Sequence, residues 1–158
     1  MLFRSQLNQK SFISVDALKS YILSRMQPAV QKAQEQVYQV IDRFVKEYYA
    51  EFSPEVYERT YQLYRSLVKS DIKSTGNGYE ACVYFDIGAL DYAMKTIGGV
   101  TVPNKGWSEE KTLTAAAHGS HGGYASGTAI WDEPIGILSS EAYNILKRML
   151  IDAGIPLA

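Results

Sequence analysis

The chain has 158 residues, a formal net charge of −1, 46% hydrophobic and 21% charged residues. That balance is ordinary for a globular protein and sets aside disordered and collagen-like classes. The length suits one domain able to bury a core without staples, and near-neutral charge without a basic run argues against a protein that grips nucleic acid through its phosphates.

The single cysteine, Cys82, leaves no intramolecular disulfide and suits a reducing cytoplasm. The first ten residues, MLFRSQLNQK, hold no apolar core of signal-peptide length. No apolar run approaches the roughly 18 residues of a membrane span, so folding in the cytoplasm and no membrane partner are expected. Tyrosine occurs 12 times against 5 phenylalanines, and its apolar face and polar tip suit wet cores and interfaces alike.

Residues 1–13 show no period and read as an arm. Ser14 is a good N-cap, with Val15, Leu18, Ile22 and Met26 at helical spacing after it. Pro28 then interrupts, because proline is tolerated in a first turn and poorly in a helix interior. The expectation is a short helix to about Met26 and a second from Pro28, with one kinked helix as the alternative. In the second, Val30, Ala33, Val37, Ile41, Phe44 and Tyr48 form one apolar stripe. It faces either this domain's own sheet or the helix of a neighbouring subunit.

Ser53-Pro54-Glu55 stops that helix and can start another turn. Arg59 follows among Tyr57, Tyr61 and Tyr64, where a guanidinium ties down a corner by stacking on rings or bonding a carbonyl. Next, Leu67–Lys73 and Tyr79–Asp86 both alternate, and Ser74-Thr75-Gly76-Asn77-Gly78 supplies the positive-φ residues of a hairpin turn. The expected faces are Val68, Ser70 and Ile72 in the first strand, and Tyr79, Ala81, Val83 and Phe85 in the second. Cys82 falls on the more polar face as a small filler.

From Ile87 to Ser139 regular patterning weakens, and nine of the twelve glycines lie here. Ala89–Thr96 reads as a short helix and Val100–Val102 as a brief strand. Ser108 caps a helix from Glu109 to about Ala117. The stretch HGSHGGYASGTAIWDEP then reads as a long loop, of a kind that is usually functional or ordered by a partner. Ser139 or Ser140 caps a last helix with Ala142, Ile145, Leu146 and Met149 inward, ended by Gly154 and Pro156. The fold class is α+β: long N-terminal helices on a small antiparallel sheet built on a central hairpin, a long glycine-rich loop and a C-terminal helix.

Chemistry is thin. His118 and His121 could share a metal with Asp132, Glu133 or Cys82, but nothing fixes the spacing a zinc site needs. Ser120 beside His121 is no triad, and the glycines lack the Lys-Ser/Thr of a phosphate loop. No metal, cofactor or catalytic set is expected. A metal-dependent hydrolase using His118 and His121 remains the runner-up.

Several separated motifs occur in order: Tyr48-Tyr49 at a helix end, the corner Ser53 to Leu63 (S-P-x-x-Y-x-R-T-Y-Q-L), Ala115 to Gly122 (A-A-A-H-G-x-H-G), and Leu150 to Pro156 (L-I-x-A-G-I-P). From Phe44 onward the chain resembles small virion proteins of the head–tail joining region of tailed phages and prophages of Gram-positive bacteria. These belong to the tail-component family of tail-completion and head–tail connector proteins. The resemblance implies a non-enzymatic subunit, located in the virion neck or tail, that forms a cyclic homo-oligomer between portal and tail tube. Its implied partners are copies of itself and neighbouring neck and tail proteins, with DNA passing nearby; a minor capsid protein is the alternative. Tyr57, Arg59, Tyr61, Tyr64, His118, His121 and Trp131 are the interface candidates.

Overall fold

The computed structural model describes residues 14–51, 61–92, 94–106, 108–121 and 124–155. The fold is α+β: a long N-terminal helix, small antiparallel sheets and a C-terminal helix. Helix α1 (Val15–Glu51) has 37 residues, which at 1.5 Å per residue is roughly 55 Å of rod. It continues through Pro28 as one helix, so the expected division into two helices does not occur. Proline removes the bond to the carbonyl of Ser24, but Ser24 and Pro28 are both exposed, and water can serve that carbonyl.

Helix α4 (Asp132–Asp152) packs on one flank of α1 more extensively than any other pair of elements. The two run antiparallel. The Tyr21 hydroxyl bonds the Gly154 carbonyl at 3.4 Å, and Arg148 reaches Gln36. Helix α4 starts seven residues before Ser139, because Pro134 in a first turn needs no donor and Asp132 and Glu133 complement the dipole there. The Glu133 carboxylate also accepts from the Ala129 amide at 3.0 Å. Ser140, inside the helix, bonds back to the Ile137 carbonyl at 2.7 Å. The C-terminus ends as expected: Gly154 has φ 83°, and the Gly154 and Ile155 amides bond the carbonyls of Ile151 and Leu150, a Schellman closure.

On another side of α1 lies the central hairpin. The short helix α2 (Gln62–Ser66) leads into β1 (Leu67–Lys69); β2 (Lys73–Ser74), β3 (Tyr79–Glu80) and β4 (Val83–Phe85) follow. β1 pairs with β4 and β2 with β3, both antiparallel, about a break at 70–72 and 81–82. Gln34, 8% exposed, fills that break: its amide donates to the Ser70 carbonyl at 2.9 Å and the Cys82 carbonyl at 2.8 Å. Burial along β1 and the residues after it follows the expected alternation, with Val68, Ser70 and Ile72 half-buried and Lys69, Asp71 and Lys73 exposed. Leu67 and Lys69 sit opposite Phe85 and Val83, whereas Val68 pairs with the exposed Tyr84. Lys69, itself exposed, has its ammonium 4.8 Å from the centre of the Tyr38 ring and 2.6 Å from Glu35 on α1. In β3–β4 the expected alternation holds, with Tyr79, Ala81, Val83 and Phe85 half-buried and the residues between them exposed. Cys82 is therefore an exposed thiol and fills nothing.

The glycine-rich stretch carries more order than its composition announces. A 3₁₀ turn at Ile87–Ala89 replaces the start of the expected helix, and Met94–Ile97 is a strand, β5, paired with β6 (Val100–Pro103). Gly98 and Gly99 both have positive φ, 57° and 80°, a two-residue turn that favours a ribbon over a helix. Helix α3 (Glu109–Ala117) begins where expected, with the Ser108 hydroxyl accepting from Lys111. Ile41, Val45, Leu63, Leu67, Ala116, Ile130, Leu138 and Ile145 form the core, where α1, α2, α3, α4 and the hairpin base meet.

Replacing Gln34 by Leu leaves the carbonyls of Ser70 and Cys82 without that donor, and should lower unfolding free energy by about 1–3 kcal/mol in urea titrations. Glu35 is held below the usual glutamate range by Lys69 and then Gln39, and Glu109 by its own backbone amide and that of Tyr92. A folded value below the unfolded one gives stability that is present above about pH 4.3 and lost as pH falls through the depressed value. Glu35→Gln and Glu109→Gln should each flatten the acid limb of a Tm-against-pH curve.

Candidate assembly interface

The C-terminal end of α1 carries an aromatic cluster. Tyr49 stacks on Tyr61 with ring centres 5.2 Å apart, and meets Tyr64 edge-on at 6.3 Å and Tyr48 at 5.8 Å. Tyr61 has φ 54°, the one non-glycine residue in the left-handed region among the described residues. Stacking on Tyr49 offsets part of that backbone cost. Tyr61 is 48% exposed, so one ring of the cluster is open to solvent.

Next to it stands a small hairpin, β7 (Ser120–His121) with β8 (Tyr124–Ser126), which the sequence presents as loop. The Tyr48 hydroxyl donates to the Ser120 carbonyl at 3.2 Å. Glu51 accepts from the Thr128 amide at 2.7 Å and from its hydroxyl. The Gly127 amide donates to the Gly119 carbonyl at 2.6 Å, and the Ile130 amide to that of Ala116 at 3.1 Å. The stretch thus leaves α3, doubles back and delivers Ile130 into the core.

His118, capping the C-terminal end of α3, places Nδ1 2.6 Å from the Asp132 carboxylate in the first turn of α4. Both side chains are more than half exposed. The imidazole thus meets a carboxylate on the next helix. Asp132 also lies at the helix end that a carboxylate favours, and the pair joins the end of α3 to the start of α4. Trp131, the residue before Asp132, is half-buried against the core, with its ring 6.0 Å from that of Phe85.

Of the interface candidates, Tyr61 and Tyr64 meet in the aromatic cluster, His118 stands at the joint, and Trp131 packs mainly inward. Tyr57, Arg59 and the His121 side chain lie outside the described residues. Among the described residues, no three His, Cys, Asp or Glu side chains converge on a metal position, and no helix is long and apolar enough to cross a membrane.

Two further surfaces escape the sequence reading. The β5–β6 ribbon pairs with no other strand among the described residues, and Met94, Ile97 and Val100 are 47%, 37% and 62% exposed. Between α1 and α4 an open groove of 270 Å³ has Val40 and Ile145 within it and Arg43, Arg148 and Glu141 around it. Alternation in the ribbon was the available signal for the first. The second depends on two helices 100 residues apart in the chain and has no local signature.

A family model described as YomN matches residues 14–142. The chain belongs to the YomN family. The match takes in the whole of α1, the central hairpin, the ribbon and the His118–Asp132 joint, and so reaches further toward the N-terminus than the motif resemblance does. YomN is a Bacillus phage-type name and supports a phage-associated protein. Neither a curated protein nor a solved structure matches the chain.

Gly119→Ala tests how tightly this region is closed. With φ 76° and an added Cβ only 2.2 Å from the Gly127 carbonyl oxygen, no small shift relieves the contact. The variant should lose about 3 kcal/mol or more of stability in denaturant titrations.

Proposed function

We propose that this YomN-family protein is a non-enzymatic structural subunit of a phage neck. It would act as a tail-completion or head–tail connector protein that assembles into a ring around the DNA channel. The observation that carries the reading is the β5–β6 ribbon. A lone two-stranded ribbon is at best marginally stable in water, and this one exposes Met94, Ile97 and Val100. Such an element gains most from cover supplied by another chain. Family membership places the chain among phage-type proteins, and the aromatic cluster around Tyr61 adds a second exposed surface rich in rings, the residue type enriched at interface cores.

In this reading the His118–Asp132 pair aligns α3 and α4 and does no chemistry. DNA passes through the ring without being gripped, in keeping with a net charge of −1.

Native mass measurement and negative-stain imaging of the full chain test the reading. A closed oligomer, and the same ring at the neck of particles, is expected; a stable monomer that never joins particles would overturn it, as would location on the head shell. Val100→Lys should weaken assembly while changing monomer stability by no more than about 0.5 kcal/mol.

A further inference from the structure

Two kinds of cation lie on helix α1 and against it. Lys46 and Lys69 are held by Asp42 and Glu35 at 2.7 and 2.6 Å. The others are not engaged in this way. Arg25 lies over the Tyr21 ring at 5.6 Å, and Lys32 has no ion-pair partner among the described residues. Arg43 comes no closer than 3.9 Å to Glu47, with both side chains half exposed or more. From α4, Arg148 bonds the neutral Gln36 oxygen at 3.3 Å and has no ion-pair partner among the described residues. Positions 25, 32 and 43 fall on one flank of a helix with 100° per residue, beside the α1–α4 groove.

The central hairpin packs on α1 through Gln34 and Tyr38. Gln34 stands half a turn around the helix from Arg43, nine residues away. The outer side of that hairpin presents Glu80, Tyr84 and Asp86, all exposed, with Tyr84 46% open to solvent. Lys73, opposite Glu80 in the ladder, is the cation nearest them in register. One side of the molecule is thus a tyrosine between two carboxylates. The other is a groove with Val40 and Ile145 within it, Arg43 and Arg148 at its rim.

We propose that these two surfaces meet between copies: Tyr84 of one chain seats in the α1–α4 groove of the next, with Glu80 and Asp86 facing Arg43 and Arg148. The occupant is a second copy because the charges are complementary and the apolar elements match, ring to groove. The two surfaces also lie on opposite sides of one spine, so the contact is heterologous and repeats from copy to copy until it closes. Glu141, the one acid on the rim, is placed to accept from the Tyr84 hydroxyl. An aromatic anchor inside a rim of paired charges is the arrangement that concentrates binding energy at an interface. The inference rests on the ring reading and names one pair of surfaces for it, in addition to the β5–β6 ribbon.

Charge reversal decides it. Arg43→Glu with Arg148→Glu, and separately Glu80→Arg with Asp86→Arg, should each raise the concentration needed for half-assembly about tenfold or more. Mixing the two variants should restore assembly, because each then offers the other a complementary face. Wild-type assembly should weaken between about 0.05 M and about 0.5 M salt, and Tyr84→Ala should weaken it without altering the circular dichroism. Variants that assemble like wild type, or folded variants whose mixture stays dissociated, would overturn these contacts and leave the ring itself standing. A wild-type chain that never assembles would instead overturn the ring.

Discussion

A single helix roughly 55 Å long cannot be buried by one partner in a chain of this size, and the fold is the consequence. Helix α4 covers one flank of α1 and the central hairpin another, and the buried carboxamide of Gln34 joins α1 to the hairpin. Two backbone carbonyls of the hairpin face that amide at the break in its ladder. A buried polar group needs its partners, so the bond fixes where along α1 the hairpin sits. With the hairpin placed, Leu67 and Phe85 reach the core, α2 docks, and Lys69 can lie across Tyr38.

What could be read from the sequence followed from how local its causes are. Helix α3 was legible at both ends because Ser108 caps it with its own hydroxyl and Ala117 precedes the turn at His118-Gly119. Gly154 was legible for the same reason, and so was the central hairpin with its turn through Gly76-Asn77-Gly78. The errors lie where distant chain decides. Pro28 looks like a break until both flanks of α1 hold the helix together. Ser139 and Ser140 look like caps, but Asp132, Glu133 and Pro134 start the helix earlier. Of the candidate site, the tyrosines and His118 were legible as residue types, but Asp132 as the partner of His118 and the α1–α4 groove were not.

The histidine-containing stretch illustrates how glycine makes a compact unit from weak patterning. Its core is a backbone contact, Gly127 on Gly119, that leaves no room for a side chain. Around it, Tyr48, Glu51 and Asp132 attach the unit to α1 and α4 by hydrogen bonds. Of the residues that look like chemistry on paper, His118 connects α3 to α4 through Asp132.

Helix α1 is continuous in form but uneven in cooperativity. Its first turns are exposed, and the contacts at this end among the described residues include Lys19 to Asn77, Tyr21 to Gly154, and Met26 near Gly78. Pro28 sits where this end meets the buried part, and there it deletes one rung of the hydrogen-bond ladder. Such a segment can open by itself while the core stays closed, in the manner of a separate unit of native-state hydrogen exchange. The amides before Pro28 would then exchange through local fraying and those after Val37 through global unfolding. The same proline that fails to break the helix divides it into a part that holds the fold and a part that can move at small energetic cost.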